Sequence, residues 1–282
     1  MEKHISGTTR LLGVIGTPIG HSKSPAMYNK GFQKLGLDYA YLAFDIKEEQ
    51  VKEFVRTVKL LNMRGFNVTM PCKTEVAAHV DELSKAAELI GAVNTVVNEN
   101  GRLIGHNTDG SGFVRNLKEH GVEIKEKKIT LLGGGGTGKS VLVQLVLDEA
   151  KQIDVFNRKG INFTKLEELK KKLNEKVSDC NIHIRNIEDE ELLTKTIQES
   201  DILINATNVG MCPNEETSII KDMSVYREDL IVAEIIYNPL ETKMMKDAKA
   251  YGVRTIIGGE GMLYWQGAEA FRLFTGQELP VH

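Results

Sequence analysis

Short apolar runs alternate with amphipathic stretches along nearly the whole chain. The first series runs LLGVIG (11–16), a helical pattern over 25–35, YAYLAF (39–44), a second helical pattern over 48–61, and GFNVTM (65–70). Strand-length apolar runs separated by helix-length amphipathic segments are the pattern of βαβ units and predict a mainly parallel, helix-covered sheet. Residues 95–97 and 103–105 flank Asn100-Gly101, a dipeptide suited to the positive φ angles of a primed hairpin turn. This hairpin is expected to close the first sheet.

A second series follows an amphipathic segment at 112–120 and a charged stretch at 123–128. Its strands are KITLLGG, QIDVFN, CNIHIR, DILINAT, LIVAEII and VRTIIG, interleaved with helices such as 164–173 and 242–251. The expected fold class is therefore α/β with two domains and a cleft between them. The first is a mainly parallel sheet domain over 1–110, and the second a Rossmann-like domain over 111–260. Segment 262–274 is apolar on one face and has no strand after it, so its packing partner stays open on the pattern alone.

Composition narrows the class without naming a chemistry. The chain has 282 residues, 41% hydrophobic and 27% charged, and its 36 basic and 39 acidic side chains leave a net charge of −3. No basic footprint for nucleic acid or for an anionic membrane results, and a small-molecule ligand is the better default. Cys72, Cys180 and Cys212 are widely separated and odd in number, which argues against a disulfide framework or a zinc site and for a reducing cytoplasm. The first residues lack the apolar core of a signal peptide, and no apolar run reaches membrane-spanning length.

The densest motif is LLGGGGTGKS (131–140), which fits two incompatible readings. Gly133, Gly138, Lys139 and Ser140 fit the phosphate loop of NTP-hydrolysing proteins, whereas Gly133, Gly135 and Gly138 fit the G-x-G-x-x-G turn of a dinucleotide fold. An NTPase needs an acidic residue at the end of an apolar strand to hold magnesium, and the later strands offer only Asp201 and Glu234. A dinucleotide fold needs another strand ending about 20 residues past the loop, and QIDVFNRK supplies it. That strand ends in Asn157-Arg158-Lys159 rather than in an acid for the ribose hydroxyl, which leaves both nicotinamide cofactors open.

Three polar clusters in the first domain offer chemistry. HSKSPAMYNK (21–30) puts Ser24 at an expected N-cap and Pro25 at the first helical position, with Ser22 beside them, an arrangement suited to a carboxylate. GFNVTMPCK ends a strand in Asn67 and Thr69 before Lys73, and GHNTDG carries Asn107, Thr108 and Asp109 to the domain boundary.

These clusters, taken in order with the glycine loop, resemble the shikimate dehydrogenase family. The likeness runs through GVIGTPIGHSKSP, FNVTMPCK, GAVNT, GHNTDG, LLGGGG, FNR, NAT, IYNP and GEGMLYWQGA, and so covers essentially the whole chain. It implies reversible, nicotinamide-dependent interconversion of shikimate and 3-dehydroshikimate, or of the saturated analogue quinate, in the route to aromatic amino acids or in quinate use. By the same resemblance Lys73 is the group exchanging a proton with the hydroxyl and Asp109 is its partner. Ser22 and Ser24 hold the substrate carboxylate, and Thr69, Asn94, Thr108 and Gln266 reach the substrate. Tyr237 lines the same site, and Tyr41 matches a tyrosine of the quinate-accepting branch. Gly134, Gly135, Gly136, Thr137, Asn157, Arg158, Ile235 and Gly259 contact the dinucleotide. The segment 261–282 is implied to return to the first domain.

Two departures bear on the cofactor. The loop reads GGGGT (133–137) where the family has G-A-G-G-A, and Asn157-Arg158 is followed by KGINF with no second arginine for a 2′-phosphate. NAD is therefore expected to be accepted at least as well as NADP, which places the chain near the quinate/shikimate branch. No metal is expected, because the seven histidines show no ligand spacing. The partner is a small molecule, with room for a homodimer. The rival readings are an NTP-binding protein using Lys139 and a ligand sensor without catalysis.

Overall fold

The computed structural model describes residues 5–177 and 180–280. Residues 1–4 and 281–282 of the expected first domain, and 178–179 of the second, lie outside it. The chain divides into two compact units, one of residues 5–108 with 267–280 and one of residues 109–266. Among the described residues no helix is long and apolar enough to cross a membrane.

The first unit contains β1 (Arg10–Gly16), α1 (Ser24–Leu35), β2 (Tyr39–Asp45), α2 (Val51–Leu60), β3 (Gly65–Val68), α3 (Lys73–Ala77), β4 (Glu82–Leu83), α4 (Lys85–Ile90), β5 (Thr95–Glu99) and β6 (Arg102–His106). Its sheet has the order β2-β1-β3-β5-β6-β4. The hairpin forms as the dipeptide requires, with φ of 55° at Asn100 and 91° at Gly101. It does not close the sheet, because the two-residue strand β4 pairs in parallel with β6 beyond it. Two residues carry no periodicity, so this edge was not visible in the apolar pattern.

The second unit runs α5 (Asp109–Glu119), β7 (Lys128–Leu132), α6 (Gly136–Leu147), β8 (Gln152–Asn157), α7 (Ile161–Lys176), β9 (Asn181–Asn186), α8 (Glu190–Gln198), β10 (Ile202–Asn205), β11 (Ile231–Glu234), α9 (Lys243–Ala250) and β12 (Thr255–Ile257). Every strand pair is parallel, in the order β12-β11-β10-β7-β8-β9. This is the doubly wound order of dinucleotide-binding sheets. The chain reverses direction between β7 and β10, the switch point at which such sheets bind ligands.

Helix α10 (Glu260–Thr275) belongs to the second unit through Gln266 and to the first from Gly267 onward. Its later half buries Phe271 and Phe274 completely. Phe271 stacks on Tyr28 and Phe32 of α1, with ring centroids 5.9 and 5.3 Å apart. The Tyr28 hydroxyl donates to the Gly267 carbonyl at 2.9 Å. Arg64 ends the helix, because its Nε donates to the Phe274 carbonyl at 2.7 Å and its Nη2 to that of Leu273 at 3.3 Å. A cation on the last carbonyls offsets the negative end of the helix dipole.

Candidate functional site

In the first unit the chain also reverses about one strand, since β2 lies on one side of β1 and β3 on the other. The carboxyl ends of β1 and β3 are held together there. The Thr69 N–H donates to Ile15 at 2.9 Å, and Thr17 N–H donates to Met70 at 3.2 Å. Gly16 lies so close to Thr69 and Met70 that a side chain would collide with both. The loop from Thr17 to Ser24 thus starts beside Thr69, and Lys73 opens α3 four residues later.

Polar side chains form the floor of this region. Asn94, almost fully buried, accepts the Thr108 N–H at 2.9 Å and the Thr95 hydroxyl at 2.9 Å, while its Nδ2 donates to Thr108 Oγ1 at 3.0 Å. Its backbone carbonyl accepts the Val68 N–H at 2.7 Å, and the Val93 N–H donates to the Lys73 carbonyl at 2.9 Å. One stretch of chain, 93–94, therefore fixes the backbone of β3 and of α3's first residue. Thr69 and Lys73 are half-buried, and so are Ser22 and Ser24.

Two expectations change in detail. Ser24 is the first helical residue of α1, not its N-cap. Lys23 occupies the cap position with helical dihedrals, and the Ser24 N–H donates to Ser22 Oγ at 3.3 Å. Ser24's own hydroxyl is not needed for capping. Tyr41 is fully buried, and its hydroxyl donates to Asn67 Oδ1 at 2.6 Å. Asn67 in turn donates to Thr95 Oγ1 at 3.0 Å. Asn67, to which the strand motif alone assigns no role, is the link between Tyr41 and the Asn94 floor.

In the second unit the ends of β7, β8, β10, β11 and β12 gather the other candidates. The four glycines after β7 divide by role. Gly133 has φ of 96°, and a Cβ there would lie 2.6 Å from Thr207. A Cβ on Gly134 would strike Leu166 of α7, and one on Gly138 would strike the Gly133 carbonyl. Gly135 and Gly136 instead face open space. Their missing side chains are not explained by the protein's own packing, and they stand at the amino end of α6, where first-turn N–H groups lack intrahelical acceptors. A pyrophosphate fits that cradle, with Thr137 next along it.

Asn157 supports the loop from β8. Its Oδ1 accepts the Gly134 N–H at 3.0 Å and its Nδ2 donates to the Arg158 carbonyl at 2.8 Å. Arg158 is exposed at the same strand end. Ile235 is half-buried and Tyr237 exposed just past β11, and Gly259 is buried against Ile235. The Gly259 N–H donates to the Ile236 carbonyl at 3.2 Å. Asp109 opens α5, and Gln266 lies on α10, its backbone against Gly112 of α5.

The acids that an NTPase would need are elsewhere engaged. Asp201 precedes β10 and accepts the Lys128 N–H at 2.8 Å, at the end of the sheet opposite the glycine loop. Glu234 is completely buried. Lys139 is half-buried, and its pKa is lowered by burial and then by the charge of Lys165 on α7.

Burial pushes the Glu234 carboxyl up to about 7, against the opposing hydrogen bonds from Asn205, Thr242 and the Ile236 backbone. The ordinary value for this group is 4.5. Between those values the folded chain keeps a proton that the unfolded chain has released, so stability falls as pH rises through the window, by about 3 kcal/mol in all. The melting temperature of the unliganded protein, relative to Glu234→Gln, is expected to decline from pH 5 to pH 8. A difference that does not change with pH contradicts this.

Family models match three stretches of the chain. They are the shikimate dehydrogenase substrate binding domain over residues 14–96, shikimate / quinate 5-dehydrogenase over 116–230, and the shikimate 5'-dehydrogenase C-terminal domain over 259–282. A shikimate dehydrogenase (NADP(+)) of Streptococcus uberis is 48% identical over 100% of this chain and 96% of its own length. The crystal structure of shikimate 5-dehydrogenase from Listeria monocytogenes, in complex with shikimate and NAD, is 45% identical with a TM-score of 0.95, covering 99% of this chain and 96% of that one. Quinate dehydrogenase from Corynebacterium glutamicum, in complex with NAD, is 30% identical with a TM-score of 0.84, covering 96% of this chain and 95% of that one.

Proposed function

The chain belongs to the shikimate dehydrogenase family, and on that premise we propose that it reversibly interconverts shikimate and 3-dehydroshikimate with a nicotinamide dinucleotide. Quinate and 3-dehydroquinate are proposed as a second substrate pair. The observation that carries the reading is the cradle at Gly135 and Gly136, open where the protein's own packing would tolerate side chains, in a chain that also presents Lys73 beside Thr69 and the Asn94 floor. The NTPase reading is not favoured, and a pure sensor would have no use for Lys73 and Asp109 together.

In the proposed reaction Lys73 Nζ takes the proton of the substrate hydroxyl as it becomes a carbonyl, and returns it in reduction. Ser22 and Ser24 are assigned to the substrate carboxylate, with the Ser24 hydroxyl not used as a cap. Thr69, Asn94 and Thr108 are assigned to ring hydroxyls, which buried hydrogen-bonded side chains can select against analogues lacking them. Tyr41 is assigned a role through Asn67, since its hydroxyl is committed there. The assignments of Asp109 to orientation of the reacting hydroxyl, and of Tyr237 and Gln266 to substrate, rest on the family resemblance. A bound nicotinamide ring supplies the hydride acceptor in oxidation and the donor in reduction. Gly134, Gly135, Gly136 and Thr137 are proposed to hold its pyrophosphate, Asn157 and Arg158 the adenosine ribose, and Ile235 and Gly259 the nicotinamide end.

For the cofactor we propose that NAD is accepted at least as well as NADP. Asn157 is committed to the glycine loop and Arg185 of the neighbouring strand to Asp154 at 2.5 Å, so a 2′-phosphate at Arg158 finds a single guanidinium instead of a two-arginine clamp. The test is kcat/KM for shikimate and quinate with each dinucleotide. Comparable values, or higher ones with NAD, are expected, and a hundredfold preference for NADP overturns the assignment.

A further inference from the structure

Glu234 is a carboxylate sealed inside an apolar strand, and the proposed chemistry makes no use of it. It lies directly opposite Asn205 in the β10–β11 register. Asn205 Nδ2 donates to both of its oxygens at 3.0 Å, and Thr242 Oγ1 donates to Oε1 at 2.8 Å. The Ile236 N–H completes the set. Every partner is a donor, so the network calls for an acceptor on both oxygens of residue 234.

The partners all shape turns at the carboxyl edge of this sheet. Asn205 Oδ1 accepts the Thr207 N–H at 3.0 Å and its hydroxyl at 2.7 Å, and Thr207 Oγ1 accepts the Val209 N–H at 3.0 Å. Thr207 is the side chain packed against Gly133, at the root of the glycine loop. Ile236 receives the Gly259 N–H, and Thr242 caps α9 by accepting the Met245 N–H at 3.3 Å. The turn after β10, the turn after β11 and the start of the glycine loop are thus linked to one carboxylate.

We propose that Glu234 is a positioning residue for the dinucleotide, its carboxylate holding through Asn205, Thr242 and Ile236 the turns that the dinucleotide site is built from. This rests on the reading of the second unit as the dinucleotide-binding one. Glu234 touches neither ligand, and its effect falls on the affinity for dinucleotide, not on substrate binding in the first unit.

The test is calorimetric titration of the full chain at pH 8.5, where Glu234 is ionised, with NAD, with NADP and, separately, with shikimate. In Glu234→Gln one acceptor becomes a donor facing the donor of Asn205, and dinucleotide affinity is expected to fall at least tenfold while shikimate affinity stays within twofold. The double variant Asn205→Asp with Glu234→Gln moves the carboxylate across the pair and restores the donor–acceptor match between residues 205 and 234, while giving up the Asn205 Nδ2 bond to the Val209 carbonyl. It is expected to recover part of the loss, binding dinucleotide at least threefold more tightly than Glu234→Gln. Dinucleotide affinity within twofold of wild type in Glu234→Gln overturns the proposal, as does equal loss of shikimate binding. If Glu234→Gln alone does not fold, the double variant decides: recovered dinucleotide binding supports the exchange, and a folded double variant without it overturns the proposal. Wild-type protein that binds neither dinucleotide overturns the dinucleotide reading itself, and the two failures are distinct.

Discussion

Replacing Lys73 by alanine is expected to lower kcat by about 10²- to 10⁴-fold, the usual contribution of a positioned acid–base group. Affinity for shikimate should change much less, because Ser22, Ser24, Thr69, Asn94 and Thr108 remain as binding groups. The fold should also survive. Lys73 is held in place by its backbone carbonyl, which accepts the Val93 N–H and is untouched by truncating the side chain. Loss of turnover with retained shikimate binding separates a proton-exchanging lysine from one that merely attracts the substrate carboxylate. An attracting lysine would show itself as a raised KM with kcat preserved.

The second large effect is expected at Gly135. A Cβ there meets no protein atom within 4 Å and the backbone φ is −68°, which any residue adopts. Gly135→Val should therefore leave the unliganded protein folded, with a stability loss of about 1 kcal/mol from the poorer N-cap. It should nevertheless place two methyl groups where a pyrophosphate approaches the α6 terminus, and reduce affinity for either dinucleotide at least a hundredfold. Gly138→Val is the control with the opposite signature. Its side chain would collide with the Gly133 carbonyl, so it should fail in the unliganded state, as thermal melting would show. If Gly135→Val binds dinucleotide normally, the cradle has been misplaced.

The contrast between these two glycines shows how far the sequence could be read. LLGGGGTGKS locates the loop, and the following strand decides between nucleotide classes. Which glycines serve packing and which leave space depends on Leu166 and Thr207, residues 32 and 74 positions past Gly134 and Gly133, and no local spacing encodes those encounters. The strands of the second sheet were legible because buried parallel strands are continuous apolar runs with helices between them. β4 was not, because two residues have no period. Ser24 next to Pro25 carries a standard N-cap signal, and the chain instead starts the helix one residue earlier.

The buried polar groups were the least legible. Tyr41 reads equally well as a residue lining a site and as a core tyrosine with a satisfied hydroxyl, and only the fold brings it to Asn67. In the sequence Glu234 reads only as an acid within an apolar run, with no place for it in holding magnesium. Its meaning lies in a cross-strand register with Asn205, 29 residues earlier, and in a helix cap eight residues later. A charged residue inside a continuous apolar strand is itself the available signal, since burial without partners would be prohibitively costly.

The most direct measurement is the absorbance of reduced nicotinamide when shikimate is added to the protein with NAD, and in parallel with NADP. Shikimate-dependent reduction is expected, reversed by 3-dehydroshikimate and reduced at least a hundredfold in Lys73→Ala. Absence of reduction by shikimate and by quinate with both dinucleotides, or a Lys73→Ala protein that turns over at the wild-type rate, would contradict the account.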